Sequence, residues 1–373
     1  MHLVIDASNI FNGGGLTHLK EFVKHAHPED YGFGKVVLWS SDKTLDRIED
    51  KKWLKKSSHP YLNKSYAHRF IWKHFVLKPT LEKNDILFIP GTGYLKTKAK
   101  VVTMCRNLLP LDLEELNRYK GNIQWYRLRL LRALHFNAFK KADGVIFLNE
   151  FCFNILPDNV QNSISNYSII PHGINRDFCN ERESYKTAET FKLLNISSIS
   201  LYRHQWNIVE AVAQLREEEG INFTLDLIGP PTKLGMEKLN QVFEKYKSHQ
   251  DTVRYVGTVP YEELSSYYQN CDAFIYSSTC ETFGMTLLEA MAHYLPIACS
   301  EKSSMPEMLK NGGVYFDPEN LESIKVAILK LYEEEGLRKT LAEKAFLLAN
   351  EYSWKETAHK TLSYLKNVQK NKS

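Results

Sequence analysis

The sequence predicts an α/β protein built from two doubly wound parallel sheets, and three observations carry that prediction. Strand-like apolar runs alternate with helical patterns along almost the whole chain. A polar stretch at 175–190 breaks the rhythm near the middle, and a second alternating series follows it. The length, 373 residues, suits about two domains, each with a sizeable core.

In the first series the strand-like runs are 3–6, 35–39, 86–89, 100–104, 144–148 and 168–170, separated by helical patterns at 17–25, 43–52, 124–141 and 151–155. In the second, strands at 191–199, 223–228, 252–256, 271–276 and 313–316 alternate with helices at 207–219, 233–247, 262–270 and 321–335. The tail, 354–370, reads as one more helix. The expected domains are 1–175 and 176–353, joined by the polar stretch at 175–190.

No stretch approaches the ~18–20 uninterrupted apolar residues of a membrane-spanning helix, and mean hydropathy is −0.38. The start, Met1-His2-Leu3-Val4-Ile5-Asp6, enters a strand at once, without the basic opening and long apolar middle of a signal peptide. Cysteines 105, 152, 179, 271, 280 and 299 show no paired ligand spacing, which fits a reducing compartment and argues against zinc or a disulfide framework.

The net charge of +4 hides an asymmetry: residues 1–180 carry 26 Lys+Arg against 17 Asp+Glu, a balance of +9, and the remainder is at −5. Residues 51–79 hold eight Lys/Arg and no carboxylate, with Trp53, Tyr61, Tyr66, Phe70, Trp72 and Phe75 interleaved. Such a segment suits an anionic membrane surface, a lipid diphosphate or nucleic acid, or is a solvated basic face whose aromatics point to the core.

The most informative segment is Glu281-Thr282-Phe283-Gly284-Met285-Thr286-Leu287-Leu288-Glu289. A short buried strand, a small-residue loop and a helix start place free backbone N–H groups and a positive dipole end at one point, a ready anion site. Glu281 in the loop and Glu289 in the helix, eight residues on, could each bind a pair of hydroxyls. Beyond them run Pro296, Ser300, Pro306-Glu307, Gly312-Gly313 and Asp317-Pro318.

This whole run resembles the C-terminal signature of retaining glycosyltransferases of the GT-B fold, family 4, the glycosyl transferases group 1. The resemblance implies two Rossmann-like domains facing across a cleft, an acceptor-binding one at 1–175 and a donor-binding one at 176–353. It also implies that helix 354–370 crosses back to the first. Catalytic roles would fall to Glu281 on the donor sugar and to Arg203, which stands where the family places a lysine that neutralises the leaving diphosphate. Ser197-Ser198 replaces the family's upstream Gly-Arg, and Arg106-Asn107 replaces a His-Asp pair near the reacting sugar. Donor contacts would come from Gly14 and Gly15 in a glycine loop, Val259 at the base, the backbone of Thr282, Phe283, Gly284 and Met285, and Glu289 at the ribose. His172, in a Pro-His-Gly-Ile-Asn turn, reads as structural.

The expected activity is transfer of a sugar from a nucleotide-sugar donor, with a UDP-sugar foremost, to a glycan or lipid-linked acceptor. The setting would be bacterial surface polysaccharide or lipopolysaccharide synthesis, in the cytoplasm at the inner face of the membrane, with 51–79 as the membrane contact. No Asp-x-Asp occurs, so no metal cofactor is expected, and no nucleic-acid partner is expected. A nucleotide-sugar 2-epimerase of similar fold and a non-enzymatic basic binder of membrane or nucleic acid are the competing readings.

Overall fold

The computed structural model describes residues 1–175, 184–185, 189–247 and 252–370. The chain divides into two compact units: Met1–Gly173 with Ser353–Ser373, and Ile174–Tyr352. Most of the polar stretch at 175–190, and Cys179 within it, lies outside the described residues.

Among the described residues, the first unit holds a seven-stranded parallel sheet: β1 (His2–Asp6), β2 (Lys35–Trp39), β3 (Leu54–Ser57), β4 (Asp85–Ile89), β5 (Lys100–Met104), β6 (Gly144–Phe147) and β7 (Tyr167–Ile169), in the order β3-β2-β1-β4-β5-β6-β7. The strand order reverses between β1 and β4, and ligands bind at such a point, beyond the strands' carboxyl ends. Strands β1, β4, β5 and β6 are almost wholly buried, as expected for a sheet covered on both faces.

The C-terminal helix, Trp354–Lys370, is part of this first unit and packs on helix Gly13–His25 and on β4 and β5. Its buried residues Trp354, Ala358, Thr361, Leu362, Leu365 and Val368 recur at helical spacing and form one apolar face. Two glycines permit the close fit. A Cβ on Gly144 would stand 2.6 Å from the Tyr364 hydroxyl, and one on Gly173 would stand 2.0 Å from the Trp354 backbone nitrogen.

The second unit has six described strands: β8 (Phe191–Ile196), β9 (Phe223–Ile228), β10 (Val253–Gly257), β11 (Ala273–Tyr276), β12 (Ile297–Ser300) and β13 (Val314–Phe316), all parallel, in the order β10-β9-β8-β11-β12-β13. Its switch point lies between β8 and β11. The core packs Phe191, Phe223, Phe316 and Ile328 around these strands. Arg338, almost fully buried, donates from Nη1 to the carbonyls of Leu331 and Tyr332 and so satisfies the end of helix Leu321–Glu333.

Several sequence expectations need correction. The helix expected at 43–52 is one turn, Asp42–Leu45. The basic segment contains a strand, β3, and a helix, Tyr66–Trp72, that runs directly into a π-helical turn, Lys73–Leu77. The first long helix begins at Gly13, so Gly14 and Gly15 are its first turn and not a loop before it. Glu335–Ala349 forms a helix that the periodicity did not single out. The two acidic residues just before the basic segment also matter: Lys51 pairs with Glu49 at 2.9 Å and Lys56 with Asp50 at 2.6 Å. Trp72 is completely buried against Trp39, whereas Tyr66, Phe70 and Phe75 are exposed.

Candidate functional site

The second unit builds its site from loops at the carboxyl ends of β8, β10 and β11. After β8 the chain makes a short turn, Leu201–Arg203, and His204 enters the left-handed region at φ 51° before helix Gln205–Glu219 begins. After β11 the loop 277–284 docks on that turn: the Thr279 N–H donates to the Tyr202 carbonyl at 2.8 Å, and the Ser277 hydroxyl donates to the Arg203 carbonyl. Two loops that flank the switch point are thereby locked together.

Within this frame Arg203, Tyr276 and Glu281 form one cluster. Arg203 Nη1 donates to the Tyr276 hydroxyl at 2.7 Å and pairs with Glu281 Oε1. The Tyr276 hydroxyl donates to the same Oε1 at 2.8 Å. Burial works to lower the Arg203 pKa, but Glu281, Tyr276 and Tyr202 outweigh it and raise it further, so the guanidinium is a permanent charge. Its Nε is buried without a hydrogen-bond partner. The Glu281 backbone is also pinned: its N–H donates to Ser303 Oγ at 2.9 Å, and its carbonyl accepts from Ser304 Oγ at 2.9 Å.

Gly284 ends the loop at φ 81°, a left-handed conformation that a side chain resists, and helix Met285–Ala292 starts there. No acidic residue occupies the helix's first turn. Phe283 is buried, with its ring edge-on to Tyr352 at 5.6 Å, so its side chain anchors the loop and Thr282, Gly284 and Met285 continue the backbone past the helix start.

Glu289 lies inside a tyrosine clamp. Its Oε2 accepts from Tyr268 at 2.9 Å and its Oε1 from Tyr261 at 3.2 Å. Burial pushes its pKa up to about 7 despite these two hydrogen bonds, which act to lower it. Tyr261 follows the turn containing Val259, so the clamp ties the end of β10 to the helix carrying Glu289. His293 stacks on Tyr268 at 4.7 Å and backs this arrangement.

Ser197-Ser198 is tied into the fold around Gln205. Ser197 Oγ donates to Asn195 Oδ1 at 2.9 Å and accepts from Gln205 Nε2 at 2.7 Å, and the Ser198 carbonyl accepts from the same amide at 2.9 Å. These residues stiffen the turn that carries Arg203.

The remaining sequence candidates, Gly14, Gly15, Arg106 and Asn107, belong to the first unit. Arg106 follows β5, and its Nη1 would lie 3.1 Å from a Cβ on Gly15. Burial lowers the Arg106 pKa to about 10, which leaves it charged at neutral pH. His18 and His172 sit beside it with ring centroids 4.9 Å apart, and His172 packs on Trp354 at 5.3 Å. Burial, as well as the Arg106 charge, drives both histidine pKa values down, so both are neutral packing groups. Asn107 is exposed next to this cluster.

The site also contains Tyr276, Tyr261 and Tyr268, which the sequence does not mark. Each reads as an apolar residue at the end of a strand or on a helix, and nothing in the spacing marks its hydroxyl as the partner of a distant glutamate.

The structure thus has two doubly wound parallel-sheet units, the second carrying a glutamate–arginine cluster and another buried glutamate beside a helix start. Residues 178–347 match the family model for glycosyl transferases group 1. The chain is 32% identical over 114 residues to O-antigen chain mannosyltransferase B of Escherichia coli, a match that covers 31% of this chain and only 30% of that protein. It is 24% identical over 350 residues to an uncharacterized glycosyltransferase of Methanocaldococcus jannaschii, with 92% of each chain covered. The structure of Anabaena HepE in complex with UDP and glucose superposes with a TM-score of 0.70 at 15% identity, covering 97% of this chain and 98% of that one. The match to glycosyl transferases group 1 lies within the second unit, and the chain has the fold of the GT-B structures it superposes on.

Proposed function

We propose that the protein transfers a sugar from a nucleoside-diphosphate donor to a hydroxyl of a glycan or lipid-linked acceptor, with retention of configuration at the sugar carbon. The observation that carries this reading is the Arg203–Tyr276–Glu281 cluster beside the start of helix Met285–Ala292. A diphosphate at that helix start meets a fixed guanidinium and backbone N–H groups, and Glu281 accepts hydrogen bonds from the sugar's hydroxyls. Glu289 binds the ribose, and the turn at Val259 meets the base.

The bond between the sugar carbon and the phosphate oxygen breaks and a bond to the acceptor oxygen forms on the same face. The acceptor's proton passes to the departing phosphate. Negative charge grows on the diphosphate as the bond breaks, and Arg203 is held in place before that charge develops. In the first unit, Gly14, Gly15, Arg106 and Asn107 are proposed ligand contacts, with Arg106 offering a second permanent cation. The absence of an Asp-x-Asp motif supports a reaction without a metal.

Two donors compete. A UDP-sugar is favoured by the fold shared with the UDP-bound structure, and a mannosyl donor by the likeness to an O-antigen mannosyltransferase. That second likeness also supports a role in cell-surface polysaccharide synthesis. The family match disfavours an epimerase or a non-enzymatic basic binder. A thermal-shift panel of UDP-, GDP- and ADP-sugars, followed by product analysis for each donor that stabilises the protein, tests the reading. Stabilisation by none of them overturns it.

A further inference from the structure

A cavity of about 250 Å³ opens in the first unit beyond the carboxyl ends of β1 and β4, the switch point of that sheet. Ser8 and Asn9 line it from one side of the switch and Thr92, Gly93 and Tyr94 from the other. Its roof is helix Tyr66–Trp72 with the π turn Lys73–Leu77, and its far wall is helix Ile123–Lys141. π turns are rare and gather at functional sites; this one supplies Lys73 and His74 to the cavity.

The polar lining includes Arg69, Lys73 and His135. Lys73 is held at 2.6 Å by the buried Asp6 carboxylate, so that pair is neutral. Arg69 has no carboxylate partner among the described residues; its guanidinium lies 4.8 Å over the Phe11 ring, and its Nε is buried without a hydrogen bond. His135, 6% exposed, likewise has a buried Nδ1 without a partner. Two buried polar atoms at this cavity, Arg69 Nε and His135 Nδ1, thus lack hydrogen-bond partners, and one of them belongs to a guanidinium, whose planar fork suits bidentate oxyanion recognition.

Apolar ridges rise on both sides of this pocket. Tyr66 and Phe70 are 62% and 53% exposed on the roof helix. Tyr126, Leu130 and Leu134 follow helical spacing on the wall helix and are exposed. Phe70, Leu134 and Tyr66 also border the cavity, so the ridges continue from its mouth. The volume falls just below the usual range for small-ligand sites, so it holds a head group and leaves the rest of a larger molecule outside.

We propose that this cavity binds the phosphate head of a lipid-linked acceptor, with the apolar chain lying along Tyr66, Phe70, Leu130 and Leu134. Its role as an acceptor site rests on the transfer reading above; the binding of a phosphate-bearing amphiphile does not. Arg69 supplies the fixed charge, His135 Nδ1 a hydrogen bond, and the exposed ridges the apolar contact that a soluble glycan would leave wet.

Calorimetry on the full chain with farnesyl diphosphate, inorganic diphosphate and farnesol tests this. Farnesyl diphosphate should bind, and each half-molecule should bind about tenfold more weakly or worse. Arg69→Gln should weaken farnesyl diphosphate by about tenfold or more, and Leu134→Asp should weaken it while sparing inorganic diphosphate. UDP and GDP affinities, read on the same preparations, should not change in either variant. Nucleotide binding without farnesyl diphosphate binding overturns this inference and leaves the transfer reading standing. Farnesyl diphosphate binding that ignores Arg69→Gln, or adsorption to anionic vesicles without binding of the soluble probe, also overturns it. Amphiphile binding without any nucleotide binding keeps the site and removes the transfer reading.

Discussion

The Tyr276 hydroxyl bridges Arg203 and Glu281, which also pair directly: it accepts from the guanidinium at 2.7 Å and donates to the carboxylate at 2.8 Å. Strand β11 thus ends in a side chain that braces an ion pair formed between two different loops. Without ligand the two charges neutralise each other, and an incoming diphosphate and sugar hydroxyls would share them out.

Glu281→Gln should lower turnover by about 10²–10³-fold, the scale seen when one preorganised polar contact to a transition state is removed. The fold should survive, since the pinning of this loop runs through the Glu281 backbone and Ser303 and Ser304. Steady-state kinetics with a matched melting curve check both halves; near-wild-type turnover removes Glu281 from the site.

Arg203→Lys keeps the charge but loses the planar fork that reaches both Tyr276 and Glu281. It should lower kcat more than it raises the donor KM, because charge on the leaving diphosphate is greatest in the transition state. A change confined to KM would make Arg203 a ground-state binding residue only.

Glu289 supplies a pH-dependent test. Its folded-state pKa is about 7, raised by burial above the ordinary value of 4.5. The folded protein therefore takes up this proton more readily than the unfolded chain. Stability from this group is full below about 4.5 and is lost as pH rises through about 7, a difference of about 3 kcal/mol. Glu289→Gln, which cannot ionise, should raise Tm over wild type more at pH 8 than at pH 4.5, while weakening nucleotide binding. An equal Tm difference at both pH values would contradict the burial argument.

Gly173→Ala places a methyl group 2.0 Å from the Trp354 backbone nitrogen. The cost should reach the upper end of the ~1–3 kcal/mol typical of overpacking, and helix Trp354–Lys370 should lose protection first. Hydrogen exchange at Leu362 and Leu365, buried on that helix, reads this directly.

The sequence made the alternation of strands and helices legible because fully buried strands such as β4 and β11 are continuous apolar runs. It failed where context overrides pattern. β3, Leu-Lys-Lys-Ser, has two lysines and no apolar alternation, and it is a strand because β2 offers it a parallel partner. In the site, Glu281, Gly284 and Glu289 were legible together because one strand–loop–helix unit carries them within nine residues. Tyr261, Tyr268 and Tyr276 were not, because their roles depend on contacts made across elements. The basic segment 51–79 suits either a binding surface or a solvated face with its aromatics in the core, and neither describes all of it. The structure separates it into Lys51 and Lys56 paired with neighbouring acids, Trp72 in the core, and Tyr66, Arg69 and Phe70 at a cavity.

The most direct test of sugar transfer is product analysis by proton NMR in the presence of EDTA, with GDP-mannose and UDP-sugars offered separately. At least one donor should be consumed, nucleoside diphosphate should be released, the new linkage should keep the donor's anomeric configuration, and Glu281→Gln should suppress all three signals. Consumption of no donor, an inverted linkage, or turnover restored only by adding magnesium or manganese would contradict the proposed reaction.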